Sequence, residues 1–295
     1  MKVLVTGASG LIGKKLIHKL RQSTKYELSL LLRRQSPDYE TLHDIKTNIG
    51  DIRSIDSLVE ATRGIDIIIH AAAVTHTHET DLYEETNHYG TENLIQAAER
   101  SGVKQFIFLS TRVASHMGGA YAKSKILAEE SVSRSRLDWI IVRVSEVYGM
   151  ESKEGIQKVI NVISKGYPLP IVGKGCYTLA PVFVDDVVDG IISTVNNSHA
   201  VRKVYVLEGP KEYTFIEMVS VLESLLEKKV WKVHLPVYLV QMLAFFLYLF
   251  KSEYLYRDQI PRLLSLKDKG DNCSFEDLGI KPRQMERIIK SISCA

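Results

Sequence analysis

Tyr121 and Lys125 stand four residues apart in a stretch with helical periodicity, so they share one helix face. A free tyrosine titrates near about 10, too high for efficient proton exchange at neutral pH, and a neighbouring ammonium favours the phenolate. The pair therefore predicts a general acid/base that protonates a nascent alkoxide or takes a proton from an alcohol. A hydroxyl bonded to the reacting oxygen would complete the set. Ser110 and Thr111 both follow the apolar run 106–109. The segment from Thr111 to Tyr121 is short and contains Gly118 and Gly119, so it must turn tightly.

A second constellation opens the chain. Thr6-Gly7-Ala8-Ser9-Gly10-Leu11-Ile12-Gly13 joins an apolar run to an amphipathic one. Glycines there permit a tight turn, close approach of backbone to a pyrophosphate, and close packing of helix on strand. The helix start adds free N–H groups and a positive dipole end. Gly7, Ser9, Gly10, Leu11, Ile12 and Gly13 are thus expected to hold a dinucleotide. After the second apolar run, where an NAD site places a carboxylate, the chain has Leu31-Leu32-Arg33-Arg34. A guanidinium pairs with a ribose 2′-phosphate, so Arg33 points to NADP, with NAD the alternative.

Positioning these groups requires a layered α/β fold. Strand-like runs at 2–6, 26–32, 45–49, 66–70, 105–110 and 139–144 alternate with helical stretches at 11–22, 54–63, 81–100 and 120–133. Continuous apolar strands separated by helices predict a Rossmann-type, doubly wound parallel sheet over residues 1–150. Glycines and prolines then break the rhythm, and residues 151–295 read as a smaller, mostly helical substrate-binding lobe that interleaves with the first domain. Within it, 182–184 and 204–207 read as strands, and Asp185 and Asp186 as helix caps.

Composition narrows the function classes. With 38 basic and 35 acidic residues the formal charge is +3, which predicts no dedicated nucleic-acid surface. Cys176, Cys273 and Cys294 form no pair at disulfide-framework or zinc spacing, and a reducing, cytoplasmic setting is the expectation. The first residues do not read as a signal peptide. His76 and His78 lack acidic or cysteine companions at metal-ligand spacing, so no metal is expected, and they read as loop residues near a substrate mouth. The apolar stretch 235–250 is shorter than a membrane span and reads as a buried or groove-lining helix, with interfacial membrane contact as the alternative.

Together these motifs resemble the extended branch of the short-chain dehydrogenase/reductase superfamily, which includes nucleotide-sugar epimerases, dehydratases and reductases. The resemblance runs through Thr6–Gly13, Gly50-Asp51-Ile52, His70-Ala71-Ala72-Ala73, Asn87, Gly90-Thr91, Tyr121–Lys125, Arg143–Gly149 and Val184-Asp185-Asp186. It implies that Asp51 and Ile52 flank the adenine and that Ala71, Ala72 and Ala73 pass beside the ribose and nicotinamide. It also implies that Lys125 holds the nicotinamide ribose beside Tyr121, and that Thr111 rather than Ser110 is the third catalytic residue. Asn87 would fix backbone geometry below the site, and the helices at 81–100 and 120–133 would form a homodimer interface. Two positions depart from the sugar-modifying members. Glu146 stands where an asparagine commonly touches the sugar nucleotide, and Leu179 where an arginine commonly binds its phosphates. A diphosphate would then need another cation, such as Lys174, Arg202 or Lys211. The expected activity is NAD(P)-dependent hydride transfer on a nucleotide sugar, as an oxidoreductase or epimerase. The alternatives are a ketoreductase or hydroxyl dehydrogenase of an apolar small molecule, and a non-catalytic nucleotide-binding scaffold.

Overall fold

Val3, Leu4 and Val5 are apolar toward both sides and fully buried, which makes the first run a central strand. The computed structural model describes residues 1–152, 154–195, 197–252, 254–268 and 274–293; Cys273 and Cys294 lie outside them. The chain alternates β1 (Lys2–Thr6), α1 (Leu11–Arg21), β2 (Glu27–Leu32), α2 (Pro37–Glu40), β3 (Ile45–Ile49), α3 (Asp56–Thr62) and β4 (Ile67–His70). A helical arm follows, made of α4 (Asp81–Tyr83), a π-helical stretch (Glu84–Tyr89) and α5 (Gly90–Ser101). Then come β5 (Gln105–Thr111), α6 (Ala120–Arg134), β6 (Asp138–Val144), β7 (Val147–Tyr148), α7 (Gly155–Ser164), β8 (Leu169–Val172), β9 (Thr178–Leu179) and β10 (Val182–Phe183). The remainder is α8 (Val184–Val195), β11 (Lys203–Leu207), β12 (Tyr213–Thr214), α9 (Phe215–Leu225), β13 (Lys232–Leu235), α10 (Val237–Leu249), α11 (Gln259–Leu264), α12 (Ser274–Asp277) and α13 (Met285–Ser293).

Seven strands form one sheet in the order β3-β2-β1-β4-β5-β6-β11, every neighbouring pair parallel. This is the Rossmann-like, doubly wound fold expected from the alternating runs. Its order reverses between β1 and β4, where such sheets open a crevice at their carboxyl ends. One face packs on α1, α8 and α12, through residues such as Leu16, Leu20, Val187, Ile191 and Phe275. The other packs on α3, α5 and α6, through Leu58, Leu94, Ala98, Ala128 and Val132. A separate apolar cluster forms between α7, α9 and α13 from residues that begin at Tyr148, while α8 and β11 return to the large sheet.

Three local expectations are corrected. The stretch 81–100 is not one regular helix, because it widens into a π-helical turn that carries Asn87. Helix α8 starts at Val184, so Asp185 and Asp186 occupy its first turn rather than capping it. Asp186 instead grips Arg283, accepting from its backbone N–H at 2.7 Å and from Nε at 3.1 Å. The third concerns α10. It forms as a helix but is not buried, since only Val240 and Ala244 are buried along it, and only its last turn, at Tyr248 and Leu249, lines a cavity. No helix among the described residues is long and apolar enough to cross a membrane.

Candidate active site

The glycine turn is built as its residues require. Gly7 has φ +74°, and a Cβ on it would lie 2.4 Å from the Ala71 carbonyl carbon. A Cβ on Gly13 would lie 2.2 Å from the Gly7 carbonyl oxygen. The turn closes by Gly10 N–H donating to Gly7 carbonyl at 3.1 Å. Helix α1 then starts at Leu11 with no side-chain cap on Gly10 and no acidic residue in its first turn. Its orphan N–H groups and positive dipole end therefore meet no competing charge from those positions. Bare backbone on both sides of the β1/β4 crevice, with an uncapped helix start, fits a dinucleotide pyrophosphate.

Further contacts hold this cradle, and among them that of Tyr39 has no motif in the sequence. The Tyr39 hydroxyl donates to the Ala8 carbonyl at 2.7 Å, and burial pushes that phenol up to about 12. Buried His70 is within hydrogen-bond distance of Thr6 Oγ1 at 2.6 Å and Thr91 Oγ1 at 3.0 Å. Burial, reinforced by the Lys125 charge, lowers His70 to about 3, so it is neutral at physiological pH. Asn87 accepts from Val74 N–H at 2.8 Å and donates to the Val74 carbonyl at 3.0 Å and to Ser124 Oγ at 3.0 Å. The π-helical turn thereby fastens the segment after β4, which carries Ala71, Ala72 and Ala73. Ile52 is buried against Gly90, and Asp51 is forked by Arg53 at 2.7–3.2 Å. The Arg53 hydrogen bond, despite partial burial, keeps the Asp51 carboxyl below its usual range, and Arg33 adds to the effect. Arg33 is exposed just past the carboxyl end of β2.

Tyr121 sits in the first turn of α6, whose N-cap Gly119 has φ +97° and no side chain to offer. Asp258, just before α11, supplies the missing acceptor, taking the Tyr121 N–H at 3.3 Å. From α11 itself, Arg262 lies over the Tyr121 ring at 4.6 Å and donates to the Thr75 carbonyl at 3.2 Å. Burial raises the Tyr121 phenol; Arg262 opposes that rise and Asp258 adds to it. The expected tuning of Tyr121 by Lys125 is not what this geometry provides, since the charges acting on the phenol are those of Arg262 and Asp258. The Lys125 ammonium turns toward β5, donating to the Leu109 carbonyl at 2.7 Å and lying 4.0 Å from the Phe108 ring centroid. In this geometry Arg262 is the cation on the tyrosine.

Burial lowers Lys125 from 10.5 to about 7, with Glu129 pulling the other way. Between those values the unfolded chain binds the proton and the folded chain does not, so stability rises with pH across that window. The expected result is that the parent gains thermal stability from pH 7 to 10 more steeply than Lys125→Met. Melting curves across that range check it, and equal slopes would show that the ammonium carries no desolvation cost.

Ser110 is buried and donates to Glu129, which leaves Thr111 the more accessible hydroxyl at the end of β5. Next in the chain, Arg112 is buried and pairs with Glu208 at 2.5 Å and Glu212 at 3.3 Å. Arg143 forks Glu129 at 2.5–3.1 Å and reaches Asp268 at 2.5 Å. Asp268 N–H donates to the Arg112 carbonyl at 3.0 Å, so the strap 266–268 is tied across the sheet edge.

Glu146, expected to face substrate, is engaged within the protein. It accepts from Ser145 Oγ at 2.8 Å and Ala180 N–H at 2.9 Å and pairs with Lys267 at 3.0 Å. Burial opposes its ionisation, but Lys267 and the Ala180 N–H hold its carboxyl below the usual range. Leu179 is buried in the lobe's apolar cluster. Among the cations expected to replace an arginine there, Arg202 is at the opposite, amino end of β6 and β11, its N–H on the Trp139 carbonyl. Lys211 lies over the Tyr213 ring at 4.6 Å and Lys174 is exposed. The cation that does reach this corner is Lys267, which also donates to the Thr178 carbonyl. No motif marks it in the sequence.

His76 lies at the mouth. It is 3.4 Å from both Arg262 and Glu154, and its ring is 5.4 Å from that of Tyr256. Burial and the Arg262 charge lower its pKa. His78 Nε2 bonds the Ser252 carbonyl at 2.8 Å. A cavity of about 860 Å³ opens here, lined by His76, His78, Leu82, Tyr248, Leu249 and Tyr256. Among the described residues no group of three His, Cys, Asp or Glu is placed to hold a metal.

The sequence matches the model of the NAD dependent epimerase/dehydratase family over residues 3–207. It is 26% identical over 309 residues to UDP-glucose 4-epimerase of Vibrio cholerae, covering 96% of this chain and 91% of that protein. It is 27% identical over 256 residues to N-acetyl-alpha-D-glucosaminyl-diphospho-ditrans,octacis-undecaprenol 4-epimerase of Escherichia coli O157:H7, covering 79% of this chain and 75% of that one. The solved structure of MoeE5 in complex with UDP-glucose and NAD shares the fold, with a TM-score of 0.77 and 20% identity over 98% of this chain and 96% of that one.

Proposed function

The chain belongs to the NAD dependent epimerase/dehydratase family, and on that premise we propose that it removes hydride from a carbinol carbon of a nucleotide sugar, or delivers it to the corresponding carbonyl carbon. The observation that carries this reading is the shared sheet edge. The bare glycine cradle, the Thr111 hydroxyl and Tyr121 all lie at the carboxyl ends of β1, β4 and β5, where a dinucleotide and a substrate meet. Gly7, Ser9, Gly10, Leu11, Ile12 and Gly13 would hold the pyrophosphate, Asp51 and Ile52 the adenine end, and Ala71, Ala72 and Ala73 the ribose and nicotinamide end. A bound nicotinamide supplies the hydride donor and acceptor.

The protein's own part is proton handling and orientation. Tyr121 Oη gives a proton to the substrate oxygen as a carbonyl is reduced and takes it back in the reverse direction. Thr111 Oγ1 hydrogen-bonds that same oxygen, and Arg262 stabilises negative charge on the phenol. Lys125, fixed on Leu109, holds the end of β5 against α6. Residues 151–295 act as the substrate lobe, with His76 at the mouth and Glu146 organising the wall behind it. The homodimer expected from the family likeness would use α5 and α6.

We assign NADP as the preferred nucleotide, on the strength of Arg33-Arg34 and the absence of a carboxylate in that stretch. Fluorescence titration is expected to show tighter binding of NADPH than of NADH, and Arg33→Ala to reduce the difference; equal affinities in the parent would reject the assignment. With the preferred nucleotide bound, UDP- and dTDP-sugars are expected to raise the melting temperature further. A rise only with apolar ketones would favour the second reading, a ketoreductase of an apolar molecule. That reading draws on Leu179 replacing a phosphate-binding cation and on Tyr248 and Leu249 lining the mouth. A sugar diphosphate on an apolar carrier, as in the name of the Escherichia coli relative, would join the two chemistries.

A further inference from the structure

Helix α10 stands out because its exposed surface is apolar almost all the way round. Its buried positions, Val240 and Ala244, are one turn apart and form a single stripe against Ile260. Tyr238, Leu239, Met242, Leu243, Phe245, Phe246 and Leu249 are exposed on the remaining circumference, and Phe250, just past its end, is 81% exposed. The patch amounts to several hundred Å², on the order of or above what a monomeric surface ordinarily leaves to water. Gln241 is the only side chain of α10 that is neither apolar nor aromatic. A flat protein partner would cover one side of such a helix and leave the rest wet.

The surroundings specify what covers it. Residues 228–257 carry Lys228, Lys229, Lys232, Lys251 and Arg257 against one carboxylate, Glu253. Lys232 is taken up by Glu223 at 2.7 Å. Lys228, Lys229, Lys251 and Arg257 are exposed, and Arg257 lies 5.5 Å from the ring centroids of both Phe245 and Tyr248. An apolar helix with cationic flanks matches the depth profile of an anionic bilayer, apolar below and negatively charged above. Tyr238, Tyr248 and the 83% exposed Tyr254 bring amphipathic rings of the kind that settle at the headgroup boundary. At 13 residues the helix extends about 20 Å, too short to cross and suited to lying in the interface.

We propose that α10 with Phe250 embeds in an anionic lipid surface as an in-plane anchor. Because Tyr248, Leu249 and Lys251 also line the cavity at the active-site mouth, the anchored protein presents that mouth at the bilayer, with the acidic wall of Glu79, Asp81 and Glu85 on the side of the cavity away from α10's chain segment. The claim concerns where the enzyme works and goes beyond the reading of its chemistry, so it stands or falls separately.

Co-sedimentation of the full chain with phosphatidylcholine vesicles, with and without phosphatidylglycerol, tests it. The parent is expected to pellet with the phosphatidylglycerol vesicles, less strongly at high salt. Phe246→Asp combined with Phe250→Asp should lower partitioning at least about tenfold, since each removes a large apolar contact. Lys251→Glu combined with Arg257→Glu should remove only the part that depends on phosphatidylglycerol and salt. All four positions are exposed, so melting temperature and nucleotide binding serve as folding controls. Three results would each overturn the proposal: a parent that stays in the supernatant with both vesicles, apolar variants that pellet like the parent, or a vesicle-free dimer that the Phe246→Asp and Phe250→Asp pair converts to monomer.

Discussion

Replacing Tyr121 by phenylalanine is expected to lower turnover about 10²–10⁴-fold, the usual cost of losing a positioned acid/base. The change keeps the ring, and with it the edge contact to Tyr83 at 5.9 Å and the Arg262 stack at 4.6 Å. The Tyr121 N–H still bonds Asp258, because that bond is made by the backbone. Melting temperature and NADPH affinity should therefore match the parent while the rate falls. The pH profile adds a second readout. Burial raises the phenol above its ordinary value, so the limb assigned to Tyr121 belongs on the alkaline side and should vanish in the variant. Parental turnover in Tyr121→Phe would remove the assignment. His76 would be next to test, since it lies 3.4 Å from Arg262, whereas Glu146 is engaged with Lys267 and Ala180.

Arg112→Met is expected to have the largest effect on stability, about 3 kcal/mol with a ceiling near 5. The arginine is 2% exposed, and its removal leaves Glu208 and Glu212 facing the space of a lost cation. Both glutamates retain some solvent access, which places the expectation toward the lower end of that range. Burial already raises the Glu208 carboxyl against the pull of Arg112, so without the arginine it should take up a proton at higher pH. Arg112→Met with Glu208→Gln should recover part of the loss, because no unpaired carboxylate then remains at that position. Denaturant melts of the two variants check this; a loss below about 1 kcal/mol for Arg112→Met would mean that the pair contributes little.

Much of the nucleotide half was legible because its physics is local. A glycine that must take positive φ, or that backbone must approach within a Cβ radius, leaves its mark on the very residue concerned, as at Gly7 and Gly13. Apolar runs such as 67–69 become strands buried on both faces for the same reason. The spacing of Tyr121 and Lys125 likewise placed both on α6.

What the sequence by itself determined, then, is the alternating α/β order, the cradle and the helix that carries Tyr121, each encoded within a few consecutive residues. Only the tertiary structure decided which charge meets which. Arg262 reaches Tyr121 across 141 positions, Asp268 reaches Arg143 across 125 and Lys267 reaches Glu146 across 121. Lys125 turned to Leu109, and α10, apolar enough to pass for core, stayed on the surface. The physical reason is common to all of them. Periodicity and propensity act along the chain over a turn or two, whereas ion pairing and burial depend on what the folded chain brings within a few ångströms, and no local pattern records that.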